Sequence, residues 1–314
     1  MKFAGYTHRG RPGAGVVVDE LVHPLEPGVT VLELVQAGAE ALSAAGERAL
    51  GTPPIALDEV ALGAPLEPPT LRDFITFEAH VEGIARQFGD DGPGPQWYAA
   101  PAFYFTNPYA VVGPFDPVPV PPGCQVFDFE LELAAVVGKA GRNLTPEQAR
   151  EHIVGYTILN DWSARDLQAR EMAVHLGPAK GKDSASTLGP YLVTADELEP
   201  HRTADGRLDL TMIAIVNGVE IGRDTAAHMA WRFEDLLAYA ARGPWVRPGD
   251  VLGSGTCGSG CLAELWGRRG TQDPPPLRPG DVVELQIEGI GAVRNTVAHG
   301  LEPVCVPAAR TPIR

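Results

Sequence analysis

The sequence predicts an α+β protein that is mainly β, with a small N-terminal α+β domain before a larger β-rich domain. Short stretches with alternating apolar residues, such as FDFELELAAVVG at 127–138, and segments divided by glycines in the C-terminal third are typical of strands joined by turns. Few stretches have apolar residues at helical spacing; the clearest is VTVLELVQAGAEALSAAGERAL at 29–50.

The first part of the chain predicts the small domain. Residues 2–18 contain two short apolar stretches joined by a Gly/Pro-rich turn, which indicates two strands before the predicted helix. The proline-rich stretch LDEVALGAPLEPPT then indicates a strand and a linker. We therefore predict a boundary near Pro68, with a cap domain at 1–68 and the larger domain at 69–314.

The larger domain begins with alternating and then helical apolar spacing at 71–89. The proline-rich stretch at 101–123 favours strand edges and turns over helix. Thr145, Pro146 and Glu147 form a typical helix start before the apolar stretch IVGYTIL. The C-terminal third predicts short strands with glycine turns.

Composition excludes several classes of protein. Forty acidic residues against 25 basic ones give a formal charge of -15, which argues against a nucleic-acid partner. No signal sequence and no apolar run of membrane-spanning length is present, so we expect a cytoplasmic protein without membrane contact. Cys257 and Cys261 lie close together in TCGSGC, but no second Cys or His pair follows at zinc spacing, so these thiols are interpreted as reduced and structural.

Two glutamates in the predicted strand at 127–138 indicate a cation site. Glu130 and Glu132 are two residues apart, which places both on the same face of a strand. A solvated acidic face is one explanation, but the apolar residues at 133–138 indicate burial, and buried carboxylates need a cation or strong hydrogen bonds. Asp161 offers a third oxygen ligand. Oxygen ligands favour a hard cation, Mg²⁺, Mn²⁺ or Ca²⁺.

These motifs resemble the fumarylacetoacetate hydrolase family. The resemblance covers roughly 71–303 and rests mainly on ELE and NDWSARDLQ, supported by GPAKGKDSASTLGPYLV, GSGTCGSG and PGDVVELQIEGIGAVRN. It implies a mixed β-sandwich roll, a homodimer and one divalent cation, with Mg²⁺ favoured over Mn²⁺ or Ca²⁺. The implied ligands are Glu130, Glu132, Asp161 and, from RDFITFEAH, Asp73.

The same resemblance implies the catalytic groups. His80 follows Asp73 at the family's seven-residue spacing and would be the general base that takes a proton from water. Glu264 in GSGCLAEL would orient His80, with Glu82 as the alternative. Lys182 would stabilise the negative charge that develops on the substrate. The implied substrate contacts are Arg165, Gln168 and Thr256.

The implied activity is metal-dependent hydrolysis of a carbon–carbon bond in a β-diketo acid of the fumarylacetoacetate or acylpyruvate type. The alternative is a lyase or isomerase on the same fold: a 2-keto-4-pentenoate hydratase, a 2-hydroxyhepta-2,4-diene-1,7-dioate isomerase or an oxaloacetate-type decarboxylase. Met172 stands where fumarylacetoacetases have a substrate-binding tyrosine, and one residue is inserted between Gln168 and Lys182. The identity of the substrate's tail therefore stays open.

Overall fold

A computed structural model describes residues 1–86 and 92–310 of the chain. Its strands are β1 (Lys2–His8), β2 (Arg11–Val18), β3 (Leu21–Pro24), β4 (Ile55–Ala56), β5 (Ala61–Gly63), β6 (Leu71–Phe74), β7 (Phe103–Thr106), β8 (Val111–Val112), β9 (Val118–Pro119), β10 (Phe127–Asp128), β11 (Leu131–Val137), β12 (Ile153–Asp161), β13 (Ser163–Ala164), β14 (Ser186–Thr194), β15 (Thr211–Val216), β16 (Val219–Thr225), β17 (Val251–Gly253), β18 (Val282–Ile287) and β19 (Gly291–Ala298). Its α-helices are α1 (Val31–Ala37), α2 (Ala39–Ala49), α3 (Glu78–Ala85), α4 (Pro95–Ala99), α5 (Pro146–Ala149), α6 (Arg165–Ala173), α7 (Ala195–Leu198), α8 (Phe233–Ala240) and α9 (Leu262–Arg269).

A large mixed sheet of 12 strands organises the molecule. Its main path is β4-β3-β2-β1-β14-β12-β11-β17-β6-β7, with β5 paired to β1 and β8 paired to β14. A second sheet has the order β16-β15-β18-β19-β9, and β10 pairs with β13. The sheets and helices confirm the predicted α+β, mainly β fold.

The central strand β11 is buried on both faces because it separates two cores. Leu131 and Leu133 face the core that the second sheet covers with residues such as Leu285. Ala134 and Val136 face the opposite core, where α1 and α2 pack. Glu132 lies on this second face, since side chains alternate along a strand. The expected burial of the strand is confirmed.

The helix expected at 29–50 is two helices, and the break has a local cause. Gly38 lies between α1 and α2 with φ of 106°, a left-handed conformation that favours glycine. Thr30 caps α1 through the backbone N–H of Glu33. The predicted start of α5 is confirmed, because the Thr145 hydroxyl accepts from the Gln148 N–H in a capping box.

The N-terminal segment extends the large sheet. Strand β1 pairs with β2 and β5 inside the segment and with β14 of the larger part. The division near Pro68 stays a prediction. The helical stretch expected at 71–89 contains β6 and α3, and its last three residues lie outside the described part. None of the helices in the described ranges is both long and apolar enough to cross a bilayer.

A buried polar network joins the two sheets. Asn295 of β19 donates from Nδ2 to the carbonyls of Gly113 (3.1 Å) and Asp116 (2.8 Å). Its Oδ1 accepts from the Thr187 hydroxyl of β14 at 3.1 Å, and that hydroxyl accepts from Trp162 Nε1 at 2.9 Å. Because Asn295 and Gly113 are both buried, loss of the Asn295 amide would leave the Gly113 carbonyl without a hydrogen-bond donor.

We predict that Asn295→Leu lowers the free energy of unfolding by about 2 kcal/mol or more, since it leaves buried acceptors without a donor. The adjacent Thr296→Leu is a matched control, because Thr296 is exposed on the other face of β19; its effect is expected within about 0.5 kcal/mol. Urea denaturation of the three proteins measures the difference. Equal stabilities would show that the network does not support the fold.

Candidate active site

Four carboxylates meet where the central strands of the large sheet end. Their oxygens, one from each of Asp73, Glu130, Glu132 and Asp161, all lie within 4.8 Å of one another, and all four residues are buried. Asp73 is on β6, Glu130 immediately precedes β11, Glu132 is on β11, and Asp161 ends β12. The pairing of β11 with β12 and the parallel pairing of β17 with β6 bring these strand ends together.

Gly253 of β17 makes room for the cluster. It pairs with Asp73 across the sheet. A Cβ atom at this position would lie 2.7 Å from Asp73 Oδ1 and 2.7 Å from Glu132 Oε2. Any side chain on residue 253 would therefore push the carboxylates apart.

Burial and mutual repulsion make the full ionisation of the cluster unfavourable. Burial raises the pKa of Asp73, and burial with the charge of Asp73 raises that of Glu132 well above its usual range. Burial is also the largest cause that raises the pKa of Asp161 to about 7, against the opposing effect of the Lys182 ammonium. The charges of Lys182 and Arg165 overcome burial at Glu130 and lower its pKa.

Lys182 is the cation inside this cluster. Its Nζ donates to Glu130 Oε2 at 2.6 Å and to Asp161 Oδ2 at 2.7 Å, and the ammonium is buried. Burial opposes its charge, but Asp161 and Glu130 raise the pKa of Lys182. Among the described residues, two of its three N–H groups are therefore hydrogen-bonded. The third is available to a ligand.

Arg165 lies beside the cluster and is held by acidic groups. Its Nε and Nη2 donate to Asp128 Oδ2 at 2.9 and 2.7 Å, and its Nη1 lies 2.7 Å from Glu130 Oε1. Nη1 also donates to Gln168 Oε1 at 3.2 Å. In the described chain these contacts use four of the five guanidinium N–H groups. Arg165 is thus better placed to fix Glu130 than to grip a substrate carboxylate with both arms.

The carboxylates have the chemistry of a hard-cation site. Asp73 Oδ1, Glu132 Oε1 and Asp161 Oδ1 are buried without a hydrogen-bond partner among the described residues. When all four carboxylates are ionised, they exceed the charges of Lys182 and Arg165 by two. Unpartnered buried oxygens and this charge excess fit one divalent cation with oxygen ligands.

A buried His–Glu pair lies beside the acidic cluster. His80 of α3 places Nδ1 3.3 Å from Oε2 of Glu264 on α9. The two helices approach closely at Gly83, where a Cβ would lie 2.2 Å from Glu264 Cγ. Both carboxylate oxygens of Glu264 accept from the Ser259 N–H at 2.8 Å, and Arg268 also pairs with the carboxylate. These contacts hold the Glu264 carboxylate in place beside the imidazole.

Glu82, Thr256 and Met172 are the other residues discussed in the sequence analysis. Glu82 is two positions after His80 on α3, and residues at that spacing point to different sides of a helix. Thr256 is buried in the segment between β17 and α9. Met172, which stands where fumarylacetoacetases have a substrate-binding tyrosine, is 52% exposed on α6.

Two residues of the site, Tyr104 and Asp128, were not predicted from the sequence. The Tyr104 hydroxyl of β7 donates to Asp161 Oδ2. Asp128 pairs with Arg165 and accepts from the backbone N–H groups of Leu262 (2.9 Å) and Ala263 (3.0 Å) at the start of α9. The alternation in FDFELE could have identified Asp128, which precedes Glu130 by two residues, whereas only the fold brings Tyr104 to the cluster.

Comparisons with known proteins agree with this fold. The family described as fumarylacetoacetate (FAA) hydrolase C-terminal matches residues 71–298. The mitochondrial oxaloacetate tautomerase fahd2 of Xenopus laevis is 36% identical over 190 residues, which are 60% of this chain and only about half (55%) of that protein. The mitochondrial oxaloacetate tautomerase FAHD2A of Bos taurus is 30% identical over 294 residues, covering 91% of this chain and 84% of its own.

A solved structure covers nearly the whole chain. The fumarylacetoacetate hydrolase from the psychrophilic Exiguobacterium antarcticum has a TM-score of 0.74 and 30% sequence identity, and the match covers 95% of this chain and 99% of that one. The chain and this protein therefore share the same overall fold.

The raised pKa values predict how pH affects metal-free protein. The pKa of Asp161 moves from 3.8 to about 7 on folding, so the folded state binds more protons between these values, and stability is lost as pH rises through about 7. We expect the melting temperature of metal-stripped protein to fall between pH 5 and pH 8.

Two samples provide controls for this effect. Glu132→Gln replaces a carboxylate whose pKa is raised well above its usual range with a neutral isostere, so its melting temperature should depend less on pH. Excess Mg²⁺ should have the same effect, because a cation compensates the ionised cluster. The same slope in all three samples would contradict the assignment.

Proposed function

The chain belongs to the fumarylacetoacetate hydrolase family, and from this premise we propose that it is a metal-dependent hydrolase that cleaves a carbon–carbon bond in a β-diketo acid. The observation that carries the proposal is the buried pair of His80 and Glu264, 3.3 Å apart, beside the acidic cluster. A base that is oriented in this way suits the activation of water.

We propose Asp73, Glu130, Glu132 and Asp161 as the ligands of one divalent cation, Mg²⁺ in the first place, with Mn²⁺ and Ca²⁺ as alternatives. Their unpartnered oxygens support this assignment. When bound, the cation supplies Lewis acidity, which polarises a carbonyl and neutralises an enolate. Tyr104 and Lys182 each donate to Asp161 Oδ2, which would leave its Oδ1 turned to the cation.

The reaction needs one proton transfer before the carbon–carbon bond breaks. With Nδ1 held by Glu264, His80 would use Nε2 to take a proton from water, and the water oxygen would bond to the attacked carbonyl carbon. The carbon–carbon bond then breaks, its electron pair goes to the departing enolate, and a carboxylate is left on the other fragment. The enolate takes up the proton that His80 removed from water and becomes the ketone product, and the second proton of that water leaves the new carboxyl group for solvent.

Lys182 and Gln168 are proposed to act on the negative charge of the leaving enolate. Lys182 keeps one N–H group beyond its bonds to Glu130 and Asp161, and this group would donate to the enolate oxygen. We propose that Arg165 positions Glu130 and Gln168. It would then act on the substrate through these residues, whereas the resemblance implies direct contact. Thr256 remains a proposed substrate contact.

A second candidate is a tautomerase of an oxaloacetate-type keto acid. It is favoured by the two relatives named oxaloacetate tautomerases, one of which matches 91% of this chain. Keto–enol exchange moves one proton and uses the same cation and enolate stabilisation, but it breaks no carbon–carbon bond and consumes no water.

Isotope labels separate the two candidates. If the enzyme hydrolyses acylpyruvates or fumarylacetoacetate, oxygen from ¹⁸O-labelled water enters the carboxylate of one product, which mass spectrometry detects. A tautomerase instead exchanges the substrate's carbon-bound hydrogen with deuterium and leaves the carbon skeleton intact. Deuterium exchange of oxaloacetate with no cleavage of any diketo acid would replace the hydrolase proposal with the tautomerase one.

We predict that His80→Ala lowers turnover of the diketo acid by about 100- to 10,000-fold, because general-base catalysis is lost. Glu264→Gln should also lower turnover, and the double variant should lose little more than the worse single one, because the two residues act together. Steady-state kinetics measure these effects, and calorimetric titration of Mn²⁺ should give unchanged cation affinity.

Glu82→Gln is the matched control for this pair. Glu82 is on the same helix as His80 but points to a different side, so its replacement should leave turnover near that of the unaltered enzyme. A large loss of turnover in Glu82→Gln with none in Glu264→Gln would show that Glu82, and not Glu264, orients His80.

The other proposals concern partners and location. A small diketo acid is the proposed partner, and the acidic formal charge of -15 gives no support to nucleic-acid binding. The homodimer implied by the family stays a prediction. The cytoplasmic location also stays a prediction, since the named relatives carry the word mitochondrial.

A further inference from the structure

A thiol lies against the His–Glu pair and has no place in the proposed hydrolysis. Cys261 Sγ is 3.8 Å from His80 Nδ1, and the side chain is fully buried. Each of Cys261, His80 and Glu264 offers one ligand atom, and these three atoms lie within 4.8 Å of one another. A sulfur, an imidazole nitrogen and a carboxylate oxygen make a donor set unlike the oxygen-only cluster.

We propose that Cys261, His80 and Glu264 form a second cation site that binds Zn²⁺ or a similar thiophilic ion and thereby inhibits the enzyme. The inhibition rests on the proposed role of His80 as a base, whereas the binding does not. Cys257 and Cys261 have no neighbouring residues at zinc spacing in the sequence, because the imidazole comes from α3, far away in the chain.

The distances fit a tetrahedral ion. Zinc bonds of about 2.3 Å to sulfur and about 2.0–2.1 Å to nitrogen or oxygen separate sulfur from nitrogen by about 3.6 Å, and nitrogen from oxygen by about 3.3 Å. The corresponding separations here are 3.8 Å from Cys261 Sγ to His80 Nδ1 and 3.3 Å from Nδ1 to Glu264 Oε2. Both separations are close to those of a tetrahedral ion, and the third pair of ligand atoms lies within 4.8 Å.

Charge and neighbouring bonds also suit such an ion. A thiolate and a carboxylate together offset the charge of a divalent cation, which lowers the cost of burying it. The Ser259 N–H fixes the Glu264 carboxylate, as a hydrogen bond behind a metal ligand does. Arg268, which pairs with Glu264, is partly exposed. A fourth position would be left for water.

Binding at this site would disable the base directly. An ion on Nδ1 requires the imidazole proton to be on Nε2, which then has no lone pair to accept a proton from water. The ion would also separate Glu264 from the imidazole. The acidic cluster, with its oxygen ligands, would keep its preference for hard cations such as Mg²⁺. The two sites would therefore take different metals.

Cobalt provides the test, because a thiolate bound to Co²⁺ absorbs in the near ultraviolet and oxygen ligands do not. The full chain is kept in excess Mg²⁺, which occupies the acidic cluster, and is titrated with Co²⁺. We expect a charge-transfer band that Zn²⁺ abolishes. Cys261→Ser should remove the band, and His80→Ala should weaken Co²⁺ binding by at least about tenfold.

Cys257→Ser is the matched control, since Cys257 is an equally buried thiol in the same segment and belongs to no such triad among the described residues. It should keep the band. Serine at 261 retains an acceptor for the Glu264 N–H at the start of α9, and circular dichroism checks the fold. If Cys261→Ser does not fold, the His80→Ala and Cys257→Ser proteins still decide the result. A missing band, or one that depends on Cys257 instead, overturns the site.

Inhibition is measured separately, with each protein compared with its own zinc-free rate. Cys261→Ser should need at least about tenfold more Zn²⁺ for half-inhibition in excess Mg²⁺. Unchanged sensitivity would overturn the inhibitory role, because Zn²⁺ would then act at the acidic cluster. The absorbance result stands without any turnover, so failure of the metal site and failure of the hydrolase proposal are distinguishable.

Discussion

The buried negative charge at the ends of β6, β11 and β12 is the constraint on which the rest of the site depends. Ionised carboxylates inside a protein are stable only when positive charge and hydrogen bonds compensate them. Lys182 compensates Glu130 and Asp161 at 2.6 and 2.7 Å, and Arg165 compensates Glu130 from the other side. Within residues 1–86 and 92–310, three carboxylate oxygens of the cluster still have no hydrogen-bond partner. The buried carboxylates therefore favour a bound cation even without a substrate.

The same constraint explains how the sheet and the helices are joined. Asp128 binds Arg165 and also accepts two backbone N–H groups at the start of α9, so the charge network reaches the helix that carries Glu264. On the other side, the missing side chain of Gly83 lets α3 bring His80 to Glu264. The position of the His–Glu pair relative to the carboxylates is therefore fixed by electrostatics on one helix and by close packing on the other.

Local patterns in the sequence predicted the groups that follow one another along a strand. The period of two in FDFELELAAVVG located Glu130 and Glu132 on one buried face, and the capping residues marked the start of α5. Contacts between distant segments had no such signal. Tyr104, the engagement of Arg165 by Asp128, and the approach of Cys261 to His80 depend on which strand lies beside which. The break at Gly38 was missed because helical apolar spacing continues across it.

The two ligand sets differ in the kind of atom that burial leaves available. In the acidic cluster, burial raises the pKa of Asp73, Glu132 and Asp161. These carboxyl groups therefore tend to keep their protons unless a hard cation is bound. Beside the His–Glu pair, burial also raises the pKa of the Cys261 thiol, which keeps it protonated and inert towards hard cations. A thiophilic ion can displace that proton, whereas Mg²⁺ cannot, because it prefers oxygen ligands. Burial therefore gives the two neighbouring sites different cation preferences. The base His80 can lie next to a thiol without its nitrogen being bound by the hard cation of the acidic cluster.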